Sequence, residues 1–216
     1  MTATSNKRLF IAVNLSIPTT RKVAETLARL RQAATYKRLR VTWVAPQNLH
    51  ITLKLLGWTH AETAAALEDS LLAVAAGRTG FEVSARGVGA YPTMAAPRVL
   101  WVGVGDPEGH LGRLAADVDA ATCRLGFERE RRPFAAHLTL GRVKEGGDAA
   151  ADLLAPYQES DFGTSRIREL VLYESVMKSS GSEYTALARA PLGTPPGGGE
   201  RQTREVQEEA PENEEP

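Results

Sequence analysis

A chain of 216 residues, 43% of them apolar, is long enough for one domain or two small lobes sharing a core. It has no run of about 18 apolar residues, which excludes a helical membrane span, and its single cysteine, Cys123, excludes an intramolecular disulfide and points to a reducing cytoplasm. Basic and acidic residues balance at 26 each, but two of the former and seven of the latter fall between Gly193 and Pro216; residues 1–192 therefore keep 24 and 19, a net of +5 that suits a polyanionic partner.

In chain order, the polar start from Met1 to Lys7 shows no leader-like apolar core, so no secretory signal is expected. Residues 8–15 (Arg-Leu-Phe-Ile-Ala-Val-Asn-Leu) form an apolar run of strand length bounded by Ser16 and Pro18. Pro18-Thr19-Thr20 starts a helix carried by Val23, Leu27, Leu30 and Ala34, with Arg21, Lys22, Arg29 and Arg31 on its solvated side. Val41–Val44 reads as a short strand and Ala45–Asn48 as a turn, followed by a strand that ends at Gly57. Thr59-x-x-Glu62 has the form of a capping box, opening a helix through Leu67, Leu71 and Val74 and leaving His60 exposed.

Phe81, Val83 and Ala85 alternate with polar residues as in a half-buried strand, and Gly87–Met94 reads as a loop before a strand at Arg98–Val104. Asp106-Pro107-Glu108 pairs an N-cap with a helix-starting proline. The helix that follows buries Leu111, Leu114, Val118, Ala121 and Leu125, keeps Cys123 as a small packing residue and His110 at the surface, and closes at Gly126. A strand over 137–143, a short helix over Asp148–Tyr157 and an antiparallel pair at 167–176 and 183–189 complete the body. From Gly193 the chain turns Gly/Pro-rich and then Glu-rich, so 193–216 is expected to be a disordered acidic tail behind a domain spanning 1–192.

Two stretches carry chemistry: His50-Ile51-Thr52-Leu53 and His137-Leu138-Thr139-Leu140. In a strand, residues i and i+2 share a face about 6.6–6.8 Å apart. Each copy therefore aims an imidazole and a hydroxyl one way and buries the apolar residue between them. Four histidines serve the whole chain, and two of them stand in matching frames. Strand alternation puts Lys54 on the face of His50 and Thr52, a candidate phosphate contact, and puts Arg142 on the face opposite His137 and Thr139 if that strand is regular. Phe134 is a candidate for stacking on an unpaired base or for core packing.

Two imidazoles suit paired proton transfer on an anionic substrate near neutral pH, with the Thr52 and Thr139 hydroxyls as hydrogen-bond donors to phosphoryl oxygens. One ligand per strand without a carboxylate companion does not make a zinc site, and no Gly-x-x-x-x-Gly-Lys-Ser/Thr loop occurs; neither metal nor nucleotide cofactor is expected.

These motifs, with Arg8–Val13, Trp43–His50, Pro97–Trp101, Arg132-Pro133-Phe134, Glu174-Ser175 and Tyr184, resemble the two-histidine phosphoesterase superfamily, and within it the bacterial RNA 2′,3′-cyclic phosphodiesterases formerly described as 2′-5′ RNA ligases. The resemblance spans roughly residues 7–190, with Ala136 where relatives often have proline. It implies a bilobal α+β fold with pseudo-two-fold symmetry, two mainly antiparallel sheets flanking a central cleft and helices outside. It also implies metal-independent opening of RNA 2′,3′-cyclic phosphate ends to 2′-phosphate, with His50 as proton donor and His137 as acceptor. The expected partner is RNA with a cyclic phosphate end or a small cyclic nucleotide, handled by a cytoplasmic monomer without membrane contact. Reversible 2′-5′ RNA joining and a non-catalytic RNA-end-binding module are the alternatives.

Overall fold

Period-two apolar runs become strands and apolar residues at helical spacing become helices. Chain order gives β1 (Lys7–Val13), α1 (Ile17–Tyr36), β2 (Arg40–Trp43), β3 (Ile51–Thr59), α2 (Thr63–Ala76), β4 (Phe81–Pro92), β5 (Pro97–Gly105), α3 (His110–Cys123), β6 (His137–Glu145), α4 (Ala150–Leu154), β7 (Asp161–Ile167), β8 (Glu169–Lys178) and β9 (Gly181–Pro191). This computed structural model describes residues 6–60, 62–179 and 181–193; apart from Gly193, the expected acidic tail lies outside the described residues.

The sheet runs β7-β4-β5-β6-β3-β1-β8-β9, with β2 pairing β6 off that path. Its order is symmetric about the two motif strands: outward from β6 come β5, β4 and β7, and outward from β3 come β1, β8 and β9. Every pairing is antiparallel. The bilobal α+β arrangement is present, and its two sheets are halves of one nine-stranded sheet joined by a single register pair, Ile51 with Leu138.

One face of this sheet is apolar. Leu9, Ile11 and Val13 of β1, Ile51, Leu100, Val102, Leu138, Leu140, Leu170 and Leu172 meet Leu27 and Leu30 of α1, Leu67 and Leu71 of α2, and Leu114 and Val118 of α3. Each such side chain contributes about 1.5–3 kcal/mol on burial, enough to hold helices against that face. α1 packs against β7 and β2, α2 against β8 and β9, and α3 against β3 and α2. The opposite face is left for the cleft.

Three local expectations change. Thr59 does not cap α2; it ends β3, buried, with its hydroxyl donating to the Gly57 carbonyl at 3.3 Å, because the strand runs two residues past Gly57. The stretch from Gly87 to Pro92 is not loop but the second half of β4, where Gly87, at φ 66°, is the extra residue opposite β5. α3 starts at His110 behind Gly109 rather than at Pro107, and the Asp106 carboxylate reaches that start from farther back, accepting from the backbone N–H groups of His110 (3.0 Å) and Leu111 (2.7 Å).

Candidate active site

Ile51 and Leu138 are both fully buried in the core. Their neighbours in the two strands must point the other way. Four side chains, His50 and Thr52 from β3 and its entry, His137 and Thr139 from β6, therefore flank one cross-strand pair on the open face. In an antiparallel register centred on 51 and 138, His50 lies beside Thr139 and Thr52 beside His137.

Both imidazoles are held the same way. The Nδ1–H of His50 donates to the Asn48 carbonyl at 2.7 Å, and that of His137 to the Ala135 carbonyl at 2.8 Å, each a residue two positions back. This bond fixes the tautomer and leaves Nε2 for the cleft. The Thr52 hydroxyl donates to His50 Nε2 at 3.0 Å. Asn48 is itself anchored, its amide donating to the Ser182 carbonyl at 2.6 Å at the start of β9.

His50 sits in an aromatic nest. Phe10 lies 4.8 Å from its ring and Tyr184 5.4 Å away edge-on, with Tyr173 at 6.3 Å. Burial in this nest pushes His50 below the ordinary imidazole value of 6.5; the Asn48 carbonyl opposes the shift and the charge of His137 adds to it. His137 has a lighter apolar neighbourhood: Tyr91 meets it edge-on at 5.3 Å, and Trp101 lies 5.2 Å from Tyr91. Gly89 makes room for that indole, since a Cβ there would come within 2.3 Å of Trp101 Cζ2.

Bulges decide the accessory residues. Against β1, β3 carries two extra residues: Ala12 pairs with Thr52 but Ile11 with Lys54, and Phe10 pairs with Leu55 but Leu9 with Gly57. The first extra residue, Leu53, reverses the alternation, so Lys54 turns to the face of Ile11, away from Thr52. The expected cleft position of Lys54 is thereby corrected. Its ammonium is buried against α3, 2.5 Å from Asp119 Oδ1 and 2.7 Å from the Glu128 carbonyl. Burial raises the Asp119 carboxyl, and Lys54, the Glu130 N–H and Arg129 together outweigh it and hold it below the usual carboxylate range.

The same device acts in the opposite sense on β6. Trp101 pairs with Thr139 but Leu100 with Gly141, so Leu140 is the extra residue and Arg142, opposite Val99, turns onto the cleft face with His137 and Thr139. Arg142 is exposed there. Gly141 lets β2 close in, for a Cβ would meet Val41 Cγ1 at 2.5 Å. Phe134 is partly buried and packs against the core. The aromatic residues Phe10, Tyr91, Trp101, Tyr173 and Tyr184 were not singled out for the site from sequence. Phe10 carried a signal, since its parity in β1 is opposite to the core residues Leu9 and Ile11.

Among the described residues, no three of His, Cys, Asp and Glu gather as a metal site requires, and no helix is long and apolar enough to cross a membrane. A family model described as LigT like phosphoesterase matches residues 17–101 and 102–184. The chain belongs to the LigT-like phosphoesterase family. Each segment matched by the LigT-like model holds one His-x-Thr motif, in keeping with the symmetric sheet. An RNA 2′,3′-cyclic phosphodiesterase of Archaeoglobus fulgidus is 38% identical over 180 residues, covering 83% of this chain and 97% of that protein. One from Aeropyrum pernix is 32% identical over 163 residues, covering 74% and 92%. The LigT-like fold extends to Escherichia coli LigT in apo form, with a TM-score of 0.69 at 29% identity over 88% of this chain and 99% of that one.

Proposed function

We propose that this LigT-like phosphoesterase hydrolyses RNA 2′,3′-cyclic phosphate ends to 2′-phosphates in the cytoplasm, using His50 and His137 as an acid/base pair without a metal ion. The observation that carries this reading is the matched seating of the two imidazoles, each tied by Nδ1–H to a backbone carbonyl two residues back, with the Thr52 hydroxyl on His50 Nε2. The relatives' names supply the substrate class.

The chemistry needs two proton movements. Water loses a proton to one imidazole as its oxygen bonds to phosphorus; the P–O3′ bond breaks and O3′ takes a proton from the other. Thr52 and Thr139 donate hydrogen bonds to the phosphoryl oxygens, and Arg142 supplies positive charge at the rim. We assign His137 to the water and His50 to O3′. In the free protein burial favours neutral His50. An anionic phosphate seated against the ring provides the counter-charge that returns a proton to it.

The test is turnover of an oligonucleotide ending in 2′,3′-cyclic phosphate, in EDTA, followed by phosphorus NMR. The expected outcome is a single 2′-phosphate product. No turnover, a requirement for added metal, a 3′-phosphate, or a new 2′-5′ junction would each overturn the corresponding part of the reading.

A further inference from the structure

The two bulges in β3 do more than turn Lys54 away. They change the strand's cleft-facing period from two residues to three. Register partners share a face, and Ala12, Phe10 and Arg8 alternate regularly along one face of β1; their partners Thr52, Leu55 and Trp58 therefore form one row on the cleft side of β3. Leu55 is 70% exposed and Trp58 73% exposed. β8 adds to this surface. Tyr173 pairs with Phe10, so Met177, four residues on in the same strand, falls on the same face, and it is 69% exposed. Two large apolar side chains in one row with a catalytic threonine, beside exposed Arg8, are not scattered surface residues.

We propose that Leu55 and Trp58, with Arg8, form a stacking track for the unpaired nucleotides 5′ to the cyclic phosphate; this rests on the phosphodiesterase reading of the same cleft. Continuity selects the occupant. The track begins at Thr52, beside the site of phosphate chemistry, and, measured along the regular partners Ala12, Phe10 and Arg8, runs about 7 Å to Leu55 and about 13 Å to Trp58. Leu55 lies within reach of the terminal base, whereas Trp58 lies farther than one nucleoside extends and requires the next residue of a chain. Charge agrees: Arg8, the register partner of Trp58, offers a cation to the backbone phosphate beside a base stacked on the indole. Aromatic stacking with a flanking cation is how sequence-tolerant single-strand binding is built. The other half of the cleft differs at the matching place, since the residue five positions after His137 is Arg142 and the residue five after His50 is Leu55. The two ends of the cleft are thus unlike, one cationic and one apolar, which gives the bound strand a direction.

The experiment compares two substrates, a nucleoside 2′,3′-cyclic phosphate and a tetranucleotide with the same end, on the full chain and on Trp58→Ala and Trp58→Phe. For the tetranucleotide, Trp58→Ala is expected to raise KM about tenfold or more with kcat unchanged, from about 1–3 kcal/mol per stacked base. Trp58→Phe recovers most of that loss, and the mononucleotide shows no change. Equal effects on both substrates, or none on the tetranucleotide, overturn the proposal. Anisotropy of a labelled 2′-phosphate-ended tetranucleotide gives a readout independent of turnover. If wild type hydrolyses neither substrate, the phosphodiesterase reading fails, and weaker tetranucleotide binding by Trp58→Ala still supports the track. A wild-type dimer in sedimentation that Trp58→Ala dissociates would instead make this face a contact between two copies and overturn the proposal.

Discussion

Ile51 and Leu138 face each other across the one register pair that joins the two motif strands, and both are fully buried. That pair is the pivot of the site. Because each lies between a histidine and a threonine, burying both points all four polar side chains the other way. A core contact thus sets the geometry of the catalytic groups, and strands that meet only here are free to splay and leave a cleft.

His50 gives the free protein a pH signature. Its pKa lies below 6.5 through burial, so the alkaline limb of kcat/KM, which reports loss of the proton donor in the free enzyme, falls below 6.5, and the corresponding limb of kcat moves up once an anionic phosphate is bound. Phe10→Leu thins the aromatic cover over His50 and is expected to move the kcat/KM limb back toward 6.5. An unshifted limb in that variant counts against burial as the cause. The same depression ties His50 to stability. Between its folded value and 6.5 the unfolded chain binds the proton more readily, so stability falls as pH drops through that window. His50→Gln is expected to flatten this part of a denaturation-versus-pH curve.

Thr52 touches His50 Nε2 at 3.0 Å. Thr52→Val keeps the shape and removes the hydroxyl, and kcat/KM is expected to fall about tenfold, the worth of one hydrogen bond. Thr52→Ser is expected to stay near wild type. Steady-state kinetics on the three proteins decide the point.

Lys54 and Arg142 exchange the places that regular alternation gives them, and mutation separates their roles. Lys54→Met leaves Asp119 facing the core without its buried partner; urea denaturation is expected to show a loss of about 3 kcal/mol, while kcat per folded molecule is unchanged. A selective loss of activity at full stability would return Lys54 to the cleft.

Arg142→Ala is expected to do the reverse, leaving stability within about 0.5 kcal/mol, as surface substitutions do, and raising KM for cyclic-phosphate substrates about tenfold. Unchanged KM across a range of salt concentrations would remove Arg142 from substrate binding.

Sequence legibility divides along a physical line. The His-x-Thr pairs, the alternating strands and the helical stripes such as Val23, Leu27, Leu30 and Ala34 are period signals, and the elements follow them. Bulges leave no such mark. Ile51, Leu53 and Leu55 read as one buried face, yet Leu55 is exposed and Lys54 buried, because the added residue at Leu53 inverts the strand up to the next bulge. The same inversion hid Arg142. Gly87 and the Tyr91-Pro92 pair read as loop for a related reason, since glycine at a bulge and proline at a strand end look like turn residues until the partner strand is known. Tyr91 was lost from the site with them. The aromatic nest of His50 draws Phe10, Tyr173 and Tyr184 from three strands, an assembly set by sheet order.

The most direct test of the central claim, that two imidazoles act together on one phosphate, is a double-mutant cycle in single-turnover kinetics on a cyclic-phosphate-ended oligonucleotide. His50→Ala and His137→Ala are each expected to lose about 10²–10⁴ in rate, and the double variant little more than either alone, because residues that work as a unit are lost together. Losses that multiply in the double variant, or a wild-type rate in either single one, would contradict the account.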